Sequence, residues 1–129
     1  MSLTELENNV TVELLEAIGN AFNRHDVEAI VGYFAEEGVF ENAKGPNIYG
    51  ARYVGRATLR EFFQTLFNDF QDIQWIPLDN RVSGNKGYSE WHRVCTSASG
   101  ERQDWLGLDI FTFRDGLIIK KDTYFKIVE

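Results

Sequence analysis

Asp109, Glu90 and His92 are the side chains of this sequence best suited to moving protons, provided the fold brings them together. Two carboxyls held side by side away from water share a proton, so one of them can still donate near neutral pH. A neutral imidazole beside them can accept one. All three lie in the tract from Tyr88 to Val128, which reads as three antiparallel strands with charged groups set among aromatics. Ionisable groups on an apolar face are costly unless they are paired or used.

The turns predict which of these side chains share a face. Arg114-Asp115-Gly116 reads as a three-residue loop with glycine third, a type I turn followed by a glycine bulge. That sets Phe113 opposite Leu117 and Asp109 opposite Lys121. Ser99-Gly100 reads as a two-residue hairpin, which sets Glu90 opposite Asp109 and His92 opposite Gly107. One face then carries the rows Glu90–Asp109–Lys121, His92–Gly107–Thr123 and Val94–Trp105–Phe125, with Phe111 and Phe113 beside them. Gly107 leaves open space between His92 and Thr123. The plain alternative for Asp109 is a cross-strand ion pair with Lys121 and no chemistry. For His92 it is a core histidine bonded to a carbonyl. The opposite face collects Trp91, Arg93, Cys95, Leu106, Leu108, Ile110, Asp122 and Tyr124. Its apolar centre (Trp91, Leu106, Leu108, Ile110, Tyr124) predicts a homodimer interface.

The elements that must hold this sheet are legible upstream. The chain has 129 residues, 43% of them hydrophobic, enough for one domain over residues 1–129 with a real core. Val12, Leu15, Ile18, Ala21 and Phe22 recur at helical spacing, and Asn23-Arg24-His25 breaks the run. Asp26 caps a second helix with Val27, Ile30, Val31 and Phe34 as its stripe, ended by Gly38. A short strand follows at Val39–Asn42, then a glycine-containing loop with Tyr49 and Tyr53 that has the composition of a lid. A third helix runs from Arg56 to Phe70, and everything from Ile73 on reads as β. Helices first and strands afterwards predict an α+β fold, with helices on one face of an antiparallel sheet and a pocket between the layers. Phe40, Phe63, Trp105, Phe111 and Phe125 are expected to line that pocket, although aromatics at such positions are also ordinary core.

The net charge of −7 argues against a nucleic-acid or anionic-membrane surface, and no apolar run is long enough to span a bilayer. Cys95 is the single cysteine, so no intrachain disulfide forms and no metal-type Cys/His spacing exists. No glycine-rich phosphate loop follows a strand, so no nucleotide cofactor is implied. The default location is the cytoplasm.

Four segments carry a resemblance: Asn23-Arg24-His25-Asp26-Val27-Glu28-Ala29-Ile30, Tyr33-Phe34-Ala35-Glu36-Glu37-Gly38-Val39-Phe40, Gly55-Arg56, and Phe113-Arg114-Asp115-Gly116-Leu117-Ile118 through Tyr124. Together they resemble the nuclear transport factor 2-like superfamily, in its SnoaL-like and ketosteroid isomerase-like branch. The resemblance implies a cone: a strongly bent antiparallel or mixed sheet covered by three N-terminal helices, enclosing an apolar cavity, usually in a homodimer. It carries over unevenly by residue. The base of ketosteroid isomerases falls at Asn42 and their oxyanion-hole tyrosine at Ile18, and a supporting tyrosine falls at Phe63. Their protonated aspartate falls at Asp109, which is kept. Limonene epoxide hydrolases hold a water with a tyrosine and an asparagine on the first strand, here Phe40 and Asn42. Their remaining acid and arginine positions fall near Glu90, His92 and Thr123. By this analogy Asn42 orients a water or a carbonyl; otherwise it makes a local turn.

These readings combine into an expectation. The protein is a cofactor-independent enzyme acting by general acid/base catalysis on an apolar, oxygenated small molecule, of isomerase, cyclase, dehydratase or hydratase type. Asp109, Glu90, His92 and Asn42 form the catalytic set. Phe40, Tyr53, Phe63, Val94, Trp105, Phe111, Lys121, Thr123 and Phe125 hold the substrate, with no metal. The alternative is a non-catalytic module of the same fold that binds a hydrophobic ligand or dimerises.

Overall fold

A computed structural model describes residues 10–129. The chain builds helix α1 (Val12–Asn23), helix α2 (Val27–Gly32), strand β1 (Phe34–Glu41), strand β2 (Arg52–Val54) and helix α3 (Arg56–Asp69). Strands β3 (Gln74–Ser83), β4 (Lys86–Thr96), β5 (Arg102–Arg114) and β6 (Leu117–Phe125) follow. The fold is α+β, with one six-stranded sheet in the order β2-β1-β6-β5-β4-β3. Every pairing is antiparallel except β1 with β6, which run parallel.

Each helix begins where a side chain or a glycine can start it. Thr11 accepts from Leu14 N and Asp26 from Ala29 N, satisfying backbone donors that a first turn leaves unpaired. Leu15, Ile18, Ala21 and Phe22 form the buried stripe of α1, and Leu59, Phe63 and Phe67 that of α3. Phe62, Leu66 and Phe70 are only partly buried. His25, at φ 57, bonds Ile73 O through Nε2 at 2.7 Å and stacks on Phe67 at 4.3 Å. It therefore latches the α1–α2 turn to the start of β3, rather than pointing into solvent.

The second helix stops at Gly32, earlier than its apolar stripe predicts. Phe34 is already in β1, opposite Ile118, and its carbonyl accepts from Arg56 Nε at 3.0 Å and Nη2 at 2.6 Å. The stripe that reads as helical is Phe34 buried from a strand, so tertiary pairing overrides local propensity. β2 is also unexpected. It lies within the predicted loop and pairs Tyr53 with Phe40. Ala51 N bonds Lys44 O at 2.9 Å and Asn42 N bonds Ala51 O at 2.9 Å, so the segment is tied at its base.

Both hairpins that set the register are the reverse of their sequence reading. Asp115 and Gly116 have φ of 53° and 78°, a two-residue turn with both central residues left-handed, and Arg114 pairs with Leu117. An irregularity after Phe113–Ile118 then shifts the ladder, and Asp109 comes opposite Thr123. That is two residues from the expected register, so the β5 and β6 side chains past the irregularity keep their face, while Ile118 replaces Leu117 opposite Phe113. The other loop holds three residues: Ser97 N bonds Glu101 O at 2.8 Å, and Gly100 sits at φ 86. β4 therefore moves by one residue against β5. Ser89, not Glu90, faces Asp109, and Trp91, not His92, faces Gly107. A slip of one inverts the whole strand. Glu90, His92 and Val94 leave the face of Asp109, and Trp91, Arg93 and Cys95 join it.

The apolar outer face therefore loses Trp91, which is buried at 5% exposure. Leu106, Leu108, Ile110 and Tyr124 remain there, joined by Ile76 and Leu78. No helix among the described residues is long and apolar enough to cross a membrane.

Candidate active site

Three strands converge on Asp109. It lies in β5 between Ser89 of β4 and Thr123 of β6, and on a sheet such a residue also reaches the diagonal neighbours two positions along. Both diagonals are used. Trp91 Nε1 donates to Asp109 Oδ2 at 2.9 Å, and Lys121 Nζ lies 3.1 Å from Oδ1. Thr123 Oγ1 donates to Oδ1 at 2.6 Å, and Lys121 Nζ also donates to that hydroxyl at 3.0 Å. The Asp109 and Lys121 side chains are only 10% and 8% exposed. Three donors converging on two oxygens is the pattern of an ionised carboxylate, which can only accept. Lys121 Nζ also sits 4.4 Å from the centre of the Phe40 ring and 5.2 Å from that of Phe22, a cation held between aromatic faces.

The pair opens on two adjoining pockets that share Phe22, Trp75, Trp91 and Lys121 as a common wall. The upper one, about 350 Å³, lies between α1 and β3–β5 and contains Asp109, Phe111, Asn20, Asn80 and Ser89. The lower one, about 320 Å³, lies under α3 and contains Phe40, Asn42, Phe63, Trp105, Thr123 and Phe125. Phe40, Phe63, Trp105, Phe111, Lys121, Thr123 and Phe125 thus line the space expected of them.

Four expected site residues lie elsewhere. Glu90 is exposed and touches the upper pocket at its rim, so it forms no proton-sharing pair with Asp109. His92 points to the outer face, where Nε2 meets Asp104 Oδ1 at 2.7 Å. Val94 follows the same inverted parity. Tyr53 stands behind the wall, 4.4 Å from Phe62 and 6.0 Å from Phe40 between ring centres. Asn42 does line the lower pocket, with its Oδ1 accepting from Ala43 N at 2.8 Å. Asp122 lies outside, as its register position predicts, but bonds Tyr124 Oη rather than neighbouring Arg93. Glu41 is a second buried carboxylate. It is paired with Arg52 at 2.9 Å and Lys120 at 3.8 Å, and it lines neither pocket. Among the described residues no group of three His, Cys, Asp or Glu side chains could hold a metal ion.

Sequence reasoning missed Trp91, Trp75 and Phe22, and the signal for Trp91 was Gly107. A Cβ on Gly107 would lie 2.2 Å from Trp91 Cη2 and 2.5 Å from Cζ3, so the indole occupies the space that glycine leaves. Gly107→Ala is expected to displace the indole and break its bond to Asp109, destabilising the fold by about 1–3 kcal/mol. In a Trp91→Phe background the same substitution should cost clearly less, and urea unfolding of the four proteins measures the difference. Equal costs in both backgrounds would remove the link.

The family model for the SnoaL-like domain matches residues 15–121. No curated protein matches the chain. Among solved structures, a proposed polyketide cyclase from Xanthomonas campestris pv. campestris is 26% identical, with 88% of each chain covered and a TM-score of 0.75. A Catenulispora acidiphila protein with a ketosteroid isomerase-like fold, solved with trimethylamine, is 14% identical over 92% of this chain and 88% of its own, with a TM-score of 0.80. The epoxide hydrolase/cyclase-like enzyme SalBIII, associated with pyran ring formation in the polyether salinomycin, is 21% identical over 89% of each chain, with a TM-score of 0.76.

Proposed function

The chain belongs to the SnoaL-like domain family, and on that footing we propose that it is a small enzyme working without a cofactor on an apolar, oxygenated small molecule. The observation that carries this reading is the buried Asp109–Lys121 pair opening on two adjoining pockets. Asp109 serves as the base. Its carboxylate takes a proton from a carbon next to a carbonyl, the electron pair moves onto the carbonyl oxygen, and the Lys121 ammonium stabilises the charge that develops there. Returning the proton at another carbon is isomerisation; attack by the enolate carbon on a second carbonyl of the same molecule breaks that C=O π bond, and its oxygen takes the proton back from Asp109, which is cyclisation. Asn42 has amide N–H groups to offer a second carbonyl across the shared wall. The polyketide cyclase assignment of the 26% identical neighbour supports this class of substrate.

Native mass spectrometry of freshly purified protein, searching for a retained small ligand, tests the reading, followed by turnover of that compound. A ligand that is held but never converted, by wild type and by Asp109→Asn alike, would leave a binding module.

The reading includes a second copy on the outer face. Ile76, Leu78, Leu106 and Tyr124 are about half exposed, and Leu78, Leu106 and Tyr124 line one groove there. Light scattering is expected to give a dimer for the wild type and a monomer for Leu106→Glu; a monomeric wild type refutes it.

A further inference from the structure

The lower pocket carries an excess of positive charge that its own residues do not neutralise. Lys44, Arg93 and Lys121 line it, and among the described residues its one acid is Asp69, exposed at the end of α3. Lys121 is already paired with Asp109. Neither Arg93 nor Lys44 has a carboxylate within 4.0 Å among the described residues. Arg93 donates one hydrogen bond, from Nη1 to Gln103 Oε1 at 3.3 Å, and otherwise lies over aromatic rings, 4.5 Å from Trp105 and 5.7 Å from Phe70. Lys44 Nζ sits over Trp105 at 5.1 Å and Phe125 at 5.8 Å. On a chain of net charge −7, two such cations beside the stacked Trp105–Phe125 pair are an exception to the prevailing field.

We infer that the lower pocket receives a planar organic anion, an aromatic carboxylate or an acidic enol, with its ring against the pocket's aromatic side chains and its charge toward Arg93 and Lys44, which flank the stacked Trp105–Phe125 pair. A guanidinium fork matches two oxygens of such a group, and aromatic surface holds the ring. Burial lowers the pKa of Arg93, the expected direction for a cation waiting for its counter-charge. The inference deepens the proposed function by naming the substrate class, and it rests on these pockets being the ligand site. Binding and turnover are read separately, so loss of one does not imply loss of the other.

The test titrates two probes of like shape, 2-naphthoate and neutral 2-naphthamide, against the full chain, following quenching of the tryptophans in the pocket wall. 2-Naphthoate is expected to bind at least ~10-fold more tightly. Arg93→Gln should bring the ratio near one while leaving 2-naphthamide affinity unchanged. Lys44→Gln, at an exposed position, should reduce the preference by about threefold. Circular dichroism checks that Arg93→Gln folds; if it does not, Lys44→Gln and the salt dependence of the wild-type preference decide. Equal affinities for the two probes, or a preference that survives both substitutions, would overturn the inference. Asp109→Asn should leave 2-naphthoate bound, which separates a failed catalyst from a failed anion site.

Discussion

Lys121→Met should destabilise the protein by about 3–5 kcal/mol, measured by urea unfolding near pH 7. The substitution preserves much of the stem that packs beside Phe22 and Phe40, so the loss reports the charge. It strands Asp109, 10% exposed, with two neutral donors and no counter-ion. A buried charge without its partner is far more costly than a buried pair is stabilising. The Lys121→Met/Asp109→Leu double variant should therefore be more stable than Lys121→Met alone, and a double-mutant cycle isolates the coupling. If Lys121→Met costs less than about 1 kcal/mol, the range of an exposed pair, the site is open to water and the proposed chemistry loses its dry setting.

Asp109→Asn should reduce turnover of the retained ligand by about 10²–10⁴-fold, with a small change in its affinity. Asparagine keeps the shape and one acceptor oxygen but cannot take up a proton. A fall in kcat without a matching rise in KM marks a group used in the transition state rather than in binding. His92→Ala should leave kcat unchanged, because its side chain stands on the other side of β4. An effect of His92→Ala equal to that of Asp109→Asn would mean that the outward register is wrong.

That control rests on what the sequence could and could not specify. Helical spacing located α1 and α3, and Asp26 located the start of α2, because each signal is local. Asp109, Lys121 and Thr123 were placed on one face correctly even though the Asp115-Gly116 turn was misread. The turn and the later irregularity each add one residue, and two slips of one restore the parity. The Ala98-Ser99-Gly100 loop offered no such cancellation, so the whole of β4 inverted with it. Glycine suits two-residue and three-residue loops alike, so its position does not by itself set the length of a hairpin loop. Gly107 looks like a gap in the sequence because the indole that fills it comes from β4, whose face depends on that loop. The cationic lower pocket is hidden for the same reason, since a two-residue loop puts Arg93 on the outer face.

The parallel pairing of β1 with β6 has a consequence for how the protein is made. Glu41 finds its neighbour Asp122 only after nearly all the intervening chain has been synthesised and folded back. Until then β1 has only the three-residue β2 beside it, and Phe40, Phe62 and Phe63 lack the rest of their surroundings. Non-local closure of this kind slows folding and leaves greasy surface open to self-association meanwhile. A nascent chain paused before β6 is thus a natural client for a chaperone.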